Sequence, residues 1–232
     1  MKITCLCENT ACESKFLAEH GLSLYVEANG RKILFDAGQT DLYLKNAELL
    51  GIDLSEVEIM VLSHGHYDHG GGIPSFLDIN EKAKVYASEY AFDECYNASD
   101  KYIGLDACLK KSDRFVFTNA YRLISDGIEL FSCNDKQLIF PIDSAGLKVK
   151  RKEGLVPDVF LHEQYLKITE NGKTVLISGC SHKGIVNIVS WFSPDVLVGG
   201  FHFMKQDLNE NSCLLDKTAE ELRAFNTKYY TC

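Results

Sequence analysis

Three histidines and an aspartate fall within six residues, His64, His66, Asp68 and His69 in H-G-H-Y-D-H, and three glycines follow at once. Imidazole nitrogen and carboxylate oxygen are donors that borderline divalent ions such as zinc, iron and manganese accept. His64 and His66 are two apart, so in an extended segment both rings project to one side. Asp68 and His69 follow after a bend and can face a second point in space. That layout serves two neighbouring ions. His182, in I-S-G-C-S-H, and His202, in V-G-G-F-H, each lie just past the C-terminal end of an apolar run, where sites on open sheets gather. Five of the seven histidines thus sit in the cluster or at such strand ends, a distribution unlike scattered surface use.

A metal held there lowers the pKa of its water from 15.7 toward ~7, and a second ion ~3.5–4 Å away steadies a leaving oxygen. The chemistry implied is hydrolysis of an ester, thioester, lactone or phosphoester of a small molecule, with Asp68 as the catalytic carboxylate that orients the attacking water. One or two divalent ions are expected, zinc first, with iron or manganese as alternatives. Asp36, in L-F-D-A-G, either steadies a histidine ring by a hydrogen bond or forms a turn before glycine. His162, in F-L-H-E-Q-Y-L, reads as a further ligand, a supporting partner or a loop residue. His20, in A-E-H-G-L-S, reads as a strand-entry residue. Cys5, Cys7 and Cys12 are near enough for a soft-metal site, against which stands their ordinary use as strand cysteines.

The elements that must position these residues show in the periodicity. L-S-L-Y-V-E-A and G-R-K-I-L-F-D-A-G form a hairpin about Asn29-Gly30. Residues 41–50 carry a helical pattern ended by Gly51. V-E-I-M-V-L-S is a short apolar run of the kind buried on both faces of a sheet. A helix starts at Ile73, with Pro74 in its first turn. Residues 84–88 read as a strand and 89–95 as a helix. Strands are expected near 114–117 and 129–132, and again at 165–169 and 174–178 around Asn171-Gly172. A helix over 184–192 and a strand over 195–199 follow. Repeated strand-then-helix units without a composition break imply one domain over residues 1–232, an α/β body with a mixed sheet system and helices outside.

The whole-chain balance narrows the partners. With 232 residues and 46% hydrophobic content the chain can bury a sizeable core. A net charge of -9 disfavours nucleic acid as a partner, and the basic run Lys148, Lys150, Arg151, Lys152 is expected to be a solvated loop. No run of ~18 apolar residues appears, so no membrane partner is expected, and the opening M-K-I-T-C-L-C-E-N-T lacks a signal-peptide core. Nine cysteines without paired C-x-x-C elements read as reduced thiols of a cytoplasmic protein. Composition leaves the oligomeric state open.

The motif H-G-H-Y-D-H resembles the H-x-H-x-D-H signature of the metallo-β-lactamase superfamily. F-D-A-G, A-E-H-G-L-S-L, G-C-S-H-K-G-I-V-N-I-V and G-G-F-H extend the likeness to its metal-dependent hydrolases of the dihydropterin–ribofuranosylaminobenzene phosphate synthase-like branch, over roughly residues 1–80 and 155–205. The resemblance implies a four-layer αββα sandwich with one or two metals at one edge of the sheets. It assigns His64 and His66 to the first metal, and Asp68, His69 and His202 to the second. It also places Cys180 where many members carry a bridging aspartate, so that Cys180 is a ligand or supporting residue, with His162 and His182 competing for the first metal. Residues 81–154 fall outside the likeness and are expected to shape the substrate site. A non-catalytic or redox-sensing metal-binding domain of the same fold is the alternative function.

Overall fold

Alternation of apolar and polar residues builds the first strands of the computed structural model, which describes residues 1–203 and 212–231. β1 (Lys2–Cys7), β2 (Ser23–Ala28) and β3 (Arg31–Phe35) are antiparallel neighbours, and β2 turns into β3 at Asn29-Gly30, both with positive φ, as a tight hairpin requires. Then come α1 (Leu42–Leu49), β4 (Ile59–Val61), α2 (Tyr67–Gly70), α3 (Ile73–Ile79), β5 (Lys84–Ser88), β6 (Cys95–Tyr96) and β7 (Phe115–Thr118). The chain continues through β8 (Tyr121–Ser125), β9 (Ile128–Phe131), β10 (Lys148–Arg151), β11 (Gly154–Pro157), β12 (Tyr165–Glu170) and β13 (Lys173–Ile177). It ends with α4 (Ile185–Phe192), β14 (Val196–Val198), α5 (Ser212–Arg223) and β15 (Lys228–Tyr230).

Two large sheets result, in the orders β1-β2-β3-β4-β5-β7 and β15-β14-β13-β12-β9-β8, with a small sheet β11-β10-β6 beside them. The period of two along β3 decides the layers: Ile33 and Phe35 face the second sheet, where they meet Ile128, Leu166, Ile168 and Ile177, whereas Leu34 faces outward. On that outer face Leu34, Met60 and Leu62 pack on Tyr43 and Ala47 of α1 and on Ile73 and Phe76 of α3. The second sheet covers its own outer face with Ile185, Ile188 and Val189 of α4 and Leu222 of α5, over Tyr165, Leu176 and Leu197. The layers are therefore helix, sheet, sheet, helix, the sandwich expected. β4 runs parallel to β3 and β5, and β13 parallel to β14, so the segments following β4, β13 and β14 leave the C-terminal ends of strands in parallel pairs, carrying His64, His182 and His202.

Some sequence expectations are corrected. Residues 89–95 form no helix; isolated turns link Ala91 N–H to Ser88 O and Asp93 N–H to Tyr90 O. The segment instead packs on the histidine turn, so closely that a Cβ on Gly65 would lie 2.2 Å from Ala91 O. Of the basic run, Lys148, Lys150 and Arg151 lie on β10, which pairs with β6 and β11, and reach Asp100, Glu94 and Asp93 at 2.7, 2.9 and 2.7 Å; Lys152 lies in the turn that follows. Gly71 and Gly72 have ordinary negative φ; what requires glycine there is space, since a Cβ would meet Gln39 O at 2.3 Å and Ala37 O at 2.1 Å. Cys5 and Cys7 lie on β1 and Cys12 in the following loop, outside the metal-capable clusters found among the described residues. Cys7, Cys12, Cys95, Cys108, Cys133 and Cys180 are free thiols.

Candidate metal centre

The backbone sets two directions for the first motif. His66 precedes α2 in an extended conformation, φ -93° and ψ 147°, and His64 stands in the bend before it, while Asp68 and His69 stand on the helix. The His64 ring centroid lies 4.7 Å from His66, 4.1 Å from His69 and 4.9 Å from His182. His66 lies 5.1 Å from His182, and His182 lies 4.4 Å from His202. Asp68 Oδ2 is 3.6 Å from His69 Nε2. Cys180 Sγ is 3.2 Å from the same nitrogen. The chain thus gathers His64, His66, Asp68, His69, Cys180, His182 and His202 from three separate segments, while Cys5, Cys7 and Cys12 stay apart from them. His20 is not merely a strand-entry residue: its Nε2 is 3.4 Å from Asp68 Oδ2, and its Nδ1 meets Asn9 Oδ1 at 2.8 Å.

Proton accounting fixes which ring atoms are available. Asp36 is fully buried and accepts from Ser63 N–H at 2.6 Å and from Ser63 Oγ at 2.7 Å. Because the Ser63 hydroxyl has spent its proton on Asp36, it accepts from His64 Nδ1, 2.8 Å away. His69 Nδ1 donates to Asp36 Oδ2 at 2.7 Å. One carboxylate therefore holds a proton on Nδ1 of both rings and aims both Nε2 atoms at the cluster, the arrangement in which supporting residues hold metal-binding histidines. Asp36 is a supporting residue, as one of its two sequence readings held, and it stands at φ +58°, a conformation aspartate tolerates.

His162 sits differently. It lies in the turn before β12, and Gly65 N–H donates to its Nδ1 at 3.1 Å. The neutral ring's one proton is then on Nε2, which donates to Asp158 Oδ2 at 3.1 Å. Cys95 Sγ is 3.7 Å from His162 Nε2 and 3.8 Å from Asp158 Oδ2. His66, Cys95, Asp158 and His162 are close enough to be counted as a metal-capable group, but an ion on His162 Nε2 would force the proton to Nδ1, against the Gly65 N–H. Sequence reasoning passed over Asp158, Cys95, Ser63, Glu163 and Gln164. Only Ser63 carried a local signal, standing next to His64; the others gain meaning when distant segments fold together.

Burial pushes the pKa values of His64 and His182 well below the usual imidazole value and that of His66 down to about 3. Neutral rings are the form that binds metal. For His69 burial pulls the same way, but the negative charge of Cys180, Asp36 and Asp68 prevails and holds it well above the usual value. Burial raises the Cys180 thiol, with His69 opposing. Lys183 is buried and lowered to about 8 by that burial, yet its Nζ donates to Ser132 O, Asn134 Oδ1 and Glu163 O at 2.7, 2.7 and 3.1 Å. Three acceptors for three protons is the pattern of an ammonium group holding two loops.

The donor set fits divalent cations. Zinc at 2.0–2.1 Å from each nitrogen of a tetrahedral site leaves neighbouring nitrogens ~3.3 Å apart, and His64 Nε2 and His182 Nε2 are 3.3 Å apart. The buried His66 Nε2 has no hydrogen-bond partner, a costly state for a buried polar atom that a bound ion would relieve. Beside His182 and His202 opens a cavity of about 300 Å³ whose walls include Phe140, Ile185, Val186, Phe201, Phe203 and Leu214.

The chain is similar to several known proteins. The sequence pattern described as the metallo-beta-lactamase superfamily matches residues 18–200. An uncharacterized protein of Methanocaldococcus jannaschii, MJ0448, is 34% identical over 218 residues, covering 87% of this chain and 79% of the relative. The 7,8-dihydropterin-6-methyl-4-(beta-D-ribofuranosyl)-aminobenzene-5'-phosphate synthase of the same organism is 29% identical over 232 residues, covering 89% and 79%. The crystal structure of Tm1679, described as a metal-dependent hydrolase of the beta-lactamase superfamily, superposes with a TM-score of 0.74 at 27% identity, over 99% of this chain and 95% of that one.

Proposed function

The chain belongs to the metallo-β-lactamase superfamily, and from that premise we propose that it is a metal-dependent hydrolase of small-molecule esters, phosphoesters foremost, with lactones and thioesters as further substrates. The observation that carries this reading is the convergence of five histidines, an aspartate and a thiol, with the Nε2 atoms of His64, His69 and His182 turned inward and that of His66 unpartnered. His64, His66 and His182 would hold one ion; Asp68, His69, Cys180 and His202 would hold the other. Zinc suits this mixture of nitrogen, oxygen and sulfur, and iron or manganese suits its nitrogen and oxygen part. Bound there, divalent ions supply a nucleophilic water at neutral pH and polarise the oxygen under attack.

The chain's own groups do the rest. Asp68, backed by His20, orients the water and takes its proton. Asp36 and Ser63 keep the His64 and His69 rings aimed. The apolar cavity next to His182 receives the organic part of the substrate and keeps bulk water from it. A phosphorylated substrate is supported by the relative named for a phosphate product; that relative is named a synthase, so condensation of small molecules is the reaction to assay beside hydrolysis. Cys180 within the donor set supports a second reading, a redox-sensing metal domain without turnover.

Protein reconstituted with zinc, manganese or iron should cleave members of a panel of aryl phosphoesters, carboxylic esters and lactones, lose the activity on chelation, and lose at least ~100-fold in kcat/KM on His66→Ala. No turnover on the panel with any of the three metals, together with unchanged behaviour of His66→Ala, would sink the hydrolase reading. Thiol-dependent spectral changes of metal-loaded protein without turnover would establish the sensor instead.

A further inference from the structure

Three consecutive residues before β12 touch both halves of the centre. Gly65 N–H, between His64 and His66, donates to His162 Nδ1 at 3.1 Å. The Glu163 carboxylate accepts His182 N–H at 2.7 Å, Lys183 N–H at 3.0 Å and the Tyr165 hydroxyl at 2.6 Å. Gln164 donates its backbone N–H to Ser63 O at 2.8 Å and its side-chain amide to Leu62 O and Tyr86 O at 2.8 and 3.0 Å, while its Oε1 accepts from Thr118 at 2.6 Å. All three side chains are buried. Residues 62–65 follow β4 of one sheet and residues 182–183 follow β13 of the other, so no ladder hydrogen bond joins them. Their relative position is left to the backbone bond of Gln164 to Ser63 O and to side chains.

Resting on the reading that His64, His66 and His182 hold an ion, we propose that His162-Glu163-Gln164 is a positioning clamp that locks the two histidine-bearing loops together, with His162 accepting the Gly65 N–H and binding no ion itself. Its three members divide the work. Glu163 satisfies two backbone donors that the turn at 181–184 would otherwise bury unpaired, so it sets where His182 stands. Gln164 ties the ends of β4, β5 and β7, which sets the height at which the His64 turn begins. His162 closes the turn from the far side, and Asp158 keeps its proton on Nε2 so that Nδ1 stays an acceptor. Cys95, Asp158 and His162 then form a support behind His66 and no separate metal site.

The clamp makes a prediction that a ligand role does not. Asparagine can present its Oδ1 near the place of His162 Nδ1 and accept the Gly65 N–H, but it has nothing at the place of Nε2. Full-length His162→Asn should therefore bind zinc, titrated against a chromophoric chelator, with the wild-type stoichiometry and within about threefold of its affinity. His162→Ala should bind ~10–100-fold more weakly, the usual effect of losing a partner that supports a ligand. Cobalt-loaded His162→Asn should keep the wild-type absorption spectrum. In wild-type protein, nitrogen spectra of the histidine rings should show His162 protonated on Nε2 both without zinc and with it, a readout that stands even if the alanine variant does not fold. Equal loss of a zinc equivalent in both variants, deprotonation of His162 Nε2 on zinc binding, or unchanged affinity in His162→Ala would each overturn the clamp. Failure of the wild type to bind zinc would overturn the proposed function as well; zinc binding and turnover with equal damage in both variants would overturn the clamp alone.

Discussion

Replacing Asp36 with asparagine tests the proton accounting at its root. Asparagine tolerates the positive φ of this position, so backbone strain does not confuse the outcome. Its Oδ1 can still accept Ser63 N–H, but its amide NH₂ stands where Oδ2 accepted from Ser63 Oγ and His69 Nδ1. Both donors must turn. Ser63 then donates to His64 Nδ1, and the protons of His64 and His69 move to their Nε2 atoms, the ones facing the cluster. Three charge-assisted hydrogen bonds worth ~1.5–3 kcal/mol each become neutral ones worth ~0.5–1.5, so stability should fall by about 3–4.5 kcal/mol. Each ion loses a correctly presented nitrogen, so the affinity for each should drop ~10–100-fold, about 1.4–2.7 kcal/mol. Urea unfolding of metal-free protein reads the first quantity, and zinc competition titration reads the second. Unchanged zinc affinity, whatever happens to stability, would refute the claim that Asp36 sets the two tautomers.

Further outcomes follow from the same geometry. In metal-free protein, His64, His66 and His182 have depressed pKa values, so below pH 6.5 the unfolded chain binds protons that the native state refuses, and each ring removes about 1.4 kcal/mol of stability per pH unit, down to about pH 3 for His66. His69 acts oppositely, its contribution being present below pH 6.5 and lost as pH rises through its elevated value. Urea midpoints should therefore fall from pH 6.5 to pH 5; a flat or rising series contradicts the burial argument. Cys180→Ser should abolish the thiolate-to-cobalt charge-transfer absorption of cobalt-loaded protein while leaving one ion bound; a retained band removes Cys180 from the donor set. Gly21→Ala would place a Cβ 2.0 Å from Asp68 O at φ +133°, and should cost about 2 kcal/mol or more in urea unfolding and displace Asp68; wild-type stability would show that the close approach is relaxed in solution.

Much of the centre was legible because its donors are either adjacent in sequence or marked by strand ends. H-G-H-Y-D-H declares itself through spacing, and His182 and His202 through the apolar runs of β13 and β14 that precede them. The hairpin at Asn29-Gly30 and the alternation along β3 likewise depend on residues within a few positions of one another. What stayed hidden depends on partners far along the chain. Lys148, Lys150 and Arg151 form a strand because residues 95–96, some fifty positions earlier, pair with it. Residues 89–95 give up a helix because Ala91 must press on Gly65. Glu163 looks like a surface charge until His182 and Lys183 bring their N–H groups to it. Asp158 and Cys95 have no local pattern at all and acquire a role only by meeting His162.

The most direct test of the central claim is an anomalous-scattering map of crystals grown with zinc. One or two zinc peaks are expected within about 2.0–2.3 Å of donors drawn from His64, His66 and His182, and from Asp68, His69, Cys180 and His202, with His162 outside both shells. Zinc found elsewhere on the protein, with these imidazoles left unligated, would contradict that claim.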